Sequence, residues 1–178
     1  MTDDYVAVPL EDILSDWGSE NVKTLLNTFK CRDHDVERFL TEKAIQFHEK
    51  HLSRTYLFLS EGLSEVRAYV TLGIKCLKVP FNNQLSNRIK KNMNLHKDIS
   101  QSYLIGQLGK ADGVEKGMGQ KLLRFSIDVF SKSFRSIGCR VIRLDCKKDL
   151  IRFYENNGFI MVSQEEDGED LYHMIVLF

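Results

Sequence analysis

Proline is nearly absent: Pro9 and Pro80 are the only two in 178 residues. No proline-rich linker marks a domain boundary and no internal repeat appears. Residues 1–178 therefore read as one domain, long enough for a sizeable core. Long apolar runs are missing as well. No stretch approaches the ~20 residues needed to cross a bilayer. The polar, acidic start over Met1, Thr2, Asp3 and Asp4 is unlike a signal peptide, and no membrane partner is expected. The four cysteines (Cys31, Cys76, Cys139, Cys146) are scattered with no C-x-x-C pair. In a chain this long they read as reduced core or site thiols rather than a disulfide framework, which points to a cytoplasmic setting. His34, His48, His51, His96 and His173 have no metal-ligand spacing with them, so no metal is expected.

Net charge is absent too, formally zero, and the 43% hydrophobic content is that of an ordinary globular chain. The two signs are unevenly placed. Arg67, Lys75, Lys78, Arg88, Lys90, Lys91 and Lys97 fall in a stretch from 66 to 97 that holds no acid. Glu155, Glu165, Glu166, Asp167, Glu169 and Asp170 fall between 153 and 178, where there is no Lys or Arg. A basic run of this kind can face a polyanion, and it can equally be a solvated loop.

What is present is a clear α/β pattern. Residues 33–50 predict a helix: Asp33 or Asp35 caps it, and Val36, Phe39, Leu40, Ala44 and Phe47 recur at helical spacing. Residues 55–59 and 66–72 predict strands around a turn with Gly62 and Ser64. Residues 81–98 read as a loop or a short helix. Leu10, Ile13, Leu14 and Trp17 predict an amphipathic N-terminal segment that packs on the domain or on a second copy. The second half reads β-α-β-α-β-β: a strand at 102–108, a long amphipathic helix at 118–136 and a buried strand at 141–146. Next come a short helix at 149–156, with Gly158 as its cap, and strands at 159–163 and 171–177 around a turn at Asp167-Gly168. Such an order predicts a mixed sheet with helices packed on it.

The turn into the long helix carries the first chemistry. Lys116-Gly117-Met118-Gly119-Gln120 lies where strand gives way to helix. A helix N-terminus has unpaired N–H groups and a dipole that favours an anion, and glycine lets a phosphate come close. A pyrophosphate-bearing cofactor fits; so does a plain tight turn that needs positive φ. The loop is too short for a P-loop and lacks its Lys-Ser/Thr ending, and it lacks the full dinucleotide fingerprint.

In context this stretch resembles the Q/R-x-x-G-x-G/A loop of the Gcn5-related N-acetyltransferases. Val114-Glu115-Lys116-Gly117-Met118-Gly119 matches both glycines and has Val114 in place of the leading Gln or Arg. Residues 104–110 resemble that family's splayed fourth strand. Arg152-Phe153-Tyr154-Glu155-Asn156-Asn157-Gly158-Phe159 resembles its C-terminal "FYE-x-x-GF" segment, and Leu171-Tyr172-His173-Met174 its closing strand pair. Phe29-Lys30-Cys31, Phe39-Leu40, Ala44 and Ser53-Arg54-Thr55-Tyr56 are similar to a branch that holds toxins acetylating aminoacyl-tRNA. The resemblance runs from about Phe29 to Phe178.

That resemblance implies a central mixed, mostly antiparallel sheet, splayed at its fourth strand and flanked by helices on both faces. It implies acetyl-CoA as cosubstrate, held by Leu108, Gly109 and Lys110 of the strand and by Glu115, Lys116, Gly117, Met118, Gly119 and Gln120 of the loop. It implies direct transfer of the acetyl group to a primary amine, with Tyr154 as general acid to the departing thiolate and a backbone N–H near Leu108 on the carbonyl. A core aromatic is the alternative for Tyr154, and a core filler is the preferred reading for Cys146. Residues 102–107 carry no carboxylate to serve as base. Asp112, Glu61 and Glu65 remain, and each fits a surface charge. An α-amine, with reference pKa near 7.7–8.0, needs less help to lose a proton than a lysine near 10.4. Aminoacyl-tRNA presents such an amine on a polyanion that the stretch 67–97 can hold. Small amines or protein N-termini are other acceptors, and a non-catalytic acyl-CoA-binding or partner-binding module is the other class. A homodimer and an antitoxin are the partners expected for a toxin of this kind.

Overall fold

The computed structural model describes residues 5–164 and 170–178. The Asp167-Gly168 turn lies outside the described residues. So do Glu165, Glu166, Asp167 and Glu169 of the acidic run, and the four residues at the start. The chain forms two compact units, Met1–Gly73 with Gln107–Phe125, and Ile74–Gly106 with Ser126–Phe178.

The first unit opens with a strand that the sequence pattern does not announce, β1 (Val6–Pro9). Helix α1 (Leu10–Trp17) comes next and buries Leu10 and Ile13. Gly18, at φ +76, turns the chain into α2 (Ser19–Leu26), which buries Val22, Leu25 and Leu26. The helix expected at 33–50 is present with an interruption. α3 (His34–Arg38) starts at Asp33, whose side chain accepts from the Asp35 N–H. One π-helical turn, Phe39–Lys43, then leads into α4 (Ala44–Glu49). The extra residue of a π-turn rotates the next helical segment about the axis, and Leu40 and Ala44 are both buried. β2 (Ser53–Leu59) and β3 (Val66–Ile74) pair antiparallel, and β1 pairs antiparallel with β2.

The register of this pair shows helices on both faces of the unit. Leu57 lies opposite Tyr69, so the two share a face. On it, Tyr69 meets Phe29 edge-on at 5.2 Å and donates its hydroxyl to the Val36 carbonyl of α3 at 2.6 Å. Neighbouring residues of a strand point the other way. Tyr56 and Phe58 there meet Phe125 at 5.0 and 5.2 Å. Phe125 belongs to α6 (Met118–Ile137), the long amphipathic helix.

The second unit holds the small pair β4 (Leu77–Lys78) and β5 (Ile99–Ser100) around α5 (Asn87–Asn92). Ser86 caps α5 by accepting from the Ile89 N–H. β6 (Tyr103–Lys110) starts in this unit and pairs parallel with β7 (Val141–Lys147). A short 3-10 turn and α7 (Ile151–Glu155) lead to β8 (Ile160–Gln164) and β9 (Leu171–Leu177), which pair antiparallel, as do β7 and β9. The seven main strands run in the order β1-β2-β3-β6-β7-β9-β8. β6 is thus the fourth strand, and its parallel pairing with β7 beside four antiparallel pairs is in keeping with the expected mixed, mostly antiparallel sheet. Leu77, Val79, Leu85 and Met93 form a core with Val141, Val162 and Ile175.

Gly109 of β6 is fixed by packing rather than by φ. A Cβ there would come within 2.5 Å of Val36 Cγ1 and 2.9 Å of Tyr69 Cε1. These atoms belong to a packed face that cannot yield cheaply. Gly109→Ala is expected to destabilise the protein by ~1–3 kcal/mol, read as a lower denaturation midpoint in urea at unchanged m-value.

Candidate active site

In the second unit the β6–β7 ladder consists of three pairs, Tyr103–Ile142, Leu104–Arg143 and Ile105–Leu144. It stops there, although β7 continues to pair with β9 through Lys147. From Asp145 onward the β6-facing edge of β7 has no ladder among the described residues. This is the splay expected of the fourth strand, and it leaves main-chain groups free to meet a ligand.

In the first unit the rest of β6 feeds the glycine turn. Gly109 places its backbone against Val36, Tyr69 and Phe29. Leu108 is half-buried and Lys110 exposed, with the Lys110 ammonium donating to the Val114 carbonyl at 2.6 Å. Val114 is buried at 5% exposure, so its side chain anchors the loop by packing. Glu115 and Lys116 are exposed, and Glu115 pairs with Lys121 at 3.1 Å. Gly117 is left-handed, φ +98, with open space where a Cβ would stand. Its carbonyl accepts the first α6 bond, from the Lys121 N–H at 3.2 Å. The N–H groups of Met118, Gly119 and Gln120 therefore have no intrahelical acceptor. The Met118 side chain is fully buried and pins this end of the helix. All nine residues assigned to a cofactor by the sequence belong to this one unit, and the unit offers an anion a glycine-rich helix N-terminus.

Tyr154 belongs to the second unit. Three hydrogen bonds of the short helix position it. Phe159 N–H donates to the Tyr154 carbonyl at 3.1 Å, and Gly158 N–H to the Glu155 carbonyl at 3.0 Å. With Gly158 left-handed at φ +87, this is a Schellman cap. Its usual apolar contact is made by the Tyr154 and Phe159 rings, 5.8 Å apart. Asn157 N–H adds a bond to the same Tyr154 carbonyl at 2.9 Å.

The hydroxyl distinguishes this tyrosine from the other buried ones. Tyr69 donates to the Val36 carbonyl and Tyr103 to the Gly138 carbonyl, at 2.6 and 2.5 Å. A buried tyrosine ordinarily finds such a partner. Tyr154 is 7% exposed, yet its hydroxyl makes no hydrogen bond among the described residues and is not sealed from solvent. Burial raises its pKa, and the nearby Cys146 raises it further. The phenol stays protonated and able to donate. Burial likewise pushes the Cys146 thiol up to about 11, with Asp145 and Asp149 adding to it. Cys146 is therefore a thiol at neutral pH and a poor nucleophile.

The candidate bases named from the sequence lie at the surface. Glu61, Glu65 and Asp112 are exposed, Glu65 pairs with Arg67, and Asp112 pairs with Arg32. Sequence reasoning misses a polar cluster on β7 and β9, because its members are 28 residues apart and meet only through strand register. Asp145 lies opposite His173, and the His173 Nδ1 is 2.7 Å from Asp145 Oδ1. Arg143, 3% exposed, donates to both Asp145 oxygens at 2.5 and 2.8 Å and to the Cys76 carbonyl at 2.9 Å. Burial alone would raise the Asp145 pKa, but hydrogen bonds from His173 and Arg143 prevail and hold the carboxyl below its ordinary value.

The basic stretch is divided between the two units. Arg67 pairs with Glu65 in the first unit, and Lys75 lies 3.9 Å from Asp145 in the second. Lys78, Arg88, Lys90, Lys91 and Lys97 make no ion pair among the described residues. Lys97 and Asp98, both at positive φ, form a two-residue turn between His96 and Ile99. Lys91, Lys97, His96 and Arg140 line a hollow of about 780 Å³ into which no acid points. Arg140 is brought there by its hydrogen bond to Asn92, 2.8 Å. No helix among the described residues is long and apolar enough to cross a membrane.

No protein-family model and no curated protein sequence matches the chain. Solved structures do. One described as a bacterial toxin superposes with TM-score 0.76 at 16% identity, over 98% of this chain and 91% of that one. AtaT complexed with acetyl-methionyl-tRNA gives 0.74 at 18% identity, over 96% and 94%. A tyrosine-to-phenylalanine mutant of AtaT, bound to the C-terminus of the antitoxin AtaR and acetyl-CoA, gives 0.72 at 17%, over 98% and 94%. The chain has the fold of these proteins along nearly its whole length.

Proposed function

We propose that this protein is an acetyl-CoA-dependent N-acetyltransferase of the Gcn5-related kind, acting on the α-amine of aminoacyl-tRNA as a toxin. One observation supports it most: a fourth strand that leaves its parallel neighbour after Ile105 and runs into a glycine-capped helix, on the fold of AtaT, a protein seen with acetyl-CoA and with acetylated tRNA. In this reading the N–H groups at Met118, Gly119 and Gln120 receive the pyrophosphate. The backbone of Leu108, Gly109 and Lys110 pairs with the pantetheine arm. Glu115, Lys116 and Gly117 complete the loop.

The amine attacks the thioester carbonyl, the C–N bond forms and the C–S bond breaks. The electron pair leaves on sulfur, where the Tyr154 hydroxyl supplies a proton. Its hydroxyl, spared any bond to a described residue, is available for that role. The tRNA reading draws on the cations of α5 and of the 97–98 turn, which make no ion pair among the described residues and suit a phosphate backbone. An antitoxin is the partner this activity calls for in its host cell, as AtaR is for AtaT.

The test is transfer of labelled acetyl from acetyl-CoA to charged tRNA, beside small amines and peptides. Label on charged tRNA that is lost on deacylation supports the reading. Label confined to small amines or peptides removes the tRNA part, and acetyl-CoA binding with no transfer favours a binding module. The triple variant Arg88→Ala, Lys90→Ala, Lys91→Ala is expected to raise the apparent KM for tRNA and leave acetyl-CoA affinity unchanged. It should also lower the slope of log KM against log salt by about 2–3, one for each lost phosphate contact. An unchanged KM and slope would take α5 out of the interface.

A further inference from the structure

We infer that His173 is the proton acceptor for the attacking amine, oriented by Asp145; this rests on the acetyltransferase reading above. Asp145 Oδ1 is 2.7 Å from His173 Nδ1. Both Asp145 oxygens are already acceptors for Arg143, so the carboxylate is ionised and the proton of that contact sits on Nδ1. With Nδ1 as the donor to Asp145, the Arg143 nitrogen 3.2 Å from it is a close neighbour of the ring rather than its hydrogen-bond donor. A neutral imidazole with its proton on Nδ1 carries its lone pair on Nε2. That atom makes no hydrogen bond among the described residues, and the side chain is 15% exposed. The arrangement is that of a base held in one tautomer by a second group.

Its position fits the chemistry. Asp145 is the first β7 residue beyond the last β6–β7 pair, where the strand edge opens. Cys146, the next residue, points to the opposite face and is the neighbour that raises the Tyr154 pKa. Asp145 of the dyad and Cys146, the neighbour of the phenol, are therefore consecutive residues of β7 on opposite faces. Among the described residues, the charged side chains in hydrogen-bond or ion-pair contact with the dyad are Arg143 from β7 and Lys75 from the segment after β3, the latter through Asp145. From β8 the residue opposite is Ser163, which does not titrate.

Protons and electrons balance along the step. The neutral amine attacks carbon, and its nitrogen becomes cationic as the C–N bond forms. His173 Nε2 takes that proton, the C–S pair leaves on sulfur, and Tyr154 gives sulfur a proton. The imidazolium proton then returns to the phenolate through solvent, leaving amide and free CoA thiol.

The experiment compares wild type with His173→Gln, using acetyl-CoA and either charged tRNA or an amino-acid ester as acceptor, from pH 6 to 9. The expected result is a fall of about 10²-fold in kcat/KM at every pH, with unchanged acetyl-CoA affinity. A variant within about threefold of wild type, with the same profile, overturns the role of His173 and leaves the acetyltransferase reading standing. A wild type that binds acetyl-CoA and acetylates nothing overturns both. A readout free of turnover is imidazole nitrogen NMR of the wild type. A downfield Nδ1-bound proton that disappears in Asp145→Asn is expected, and a proton found on Nε2 instead overturns the dyad whatever the activity.

Discussion

Tyr154→Phe is expected to lower kcat by about 10²- to 10⁴-fold, the range for loss of a positioned proton donor. The protein should stay folded and keep its affinity for acetyl-CoA. Both halves of this expectation come from the hydroxyl's surroundings. Because it makes no hydrogen bond among the described residues, removing it breaks none. The ring keeps its edge contacts with Phe153 and Phe159 at 5.1 and 5.8 Å. Tyr103→Phe is the control: it abandons the Gly138 carbonyl and should cost ~1–3 kcal/mol of stability. A Tyr154→Phe protein with normal kcat would assign the residue to packing. The pH profile offers a second check. Burial, with Cys146 behind it, raises the phenol's pKa above the ordinary 10.0, so no alkaline loss of rate should arise from Tyr154 up to pH 10.

The second large effect is on stability. Arg143→Leu is expected to destabilise the protein by ~3–5 kcal/mol, because it strips a mostly buried carboxylate of its main cation. Adding Asp145→Leu should recover much of that loss, since the pair's attraction and its desolvation nearly cancel while a lone buried charge does not. Two equal, additive losses in denaturant unfolding would mean the pair is not coupled. Acid should act in the same direction. The Asp145 pKa is lowered on folding from 3.8, so its contribution is fully present above the unfolded value. It is lost as pH falls through the lower folded one. The difference in stability between wild type and the double variant should therefore shrink below about pH 4.

Much of the fold is legible in residue order, and the parts that escape have a common cause. The β-α-β-α-β-β half is written in strong local signals, among them the amphipathic run of α6 and the left-handed Gly158 behind α7. The N-terminal pieces are harder to read. β1 has only four residues with its first two exposed, too short for an alternation to stand out. α2 offers no side-chain cap to announce it. The π-turn at Phe39–Lys43 leaves the spacing of apolar residues close to helical and so stays hidden. In the site, the glycine turn and the tyrosine are visible as motifs. Two things are not: that Gly109 is demanded by Val36 and Tyr69, and that Asp145 meets His173. Each depends on which strand lies beside which, and in what register.

The Schellman cap at Gly158 bears on how this site can drift. Five backbone and side-chain conditions coincide in six residues: a left-handed glycine, two closing bonds, a ring against Tyr154 and the tyrosine itself. A Cβ at Gly158 would strain the turn that sets the tyrosine's height, so the segment changes as a block or not at all. Glu155 and Asn156 are exposed and carry no such duty through their side chains. Variation should collect at those two positions, which gives the segment the look of a word with two free letters.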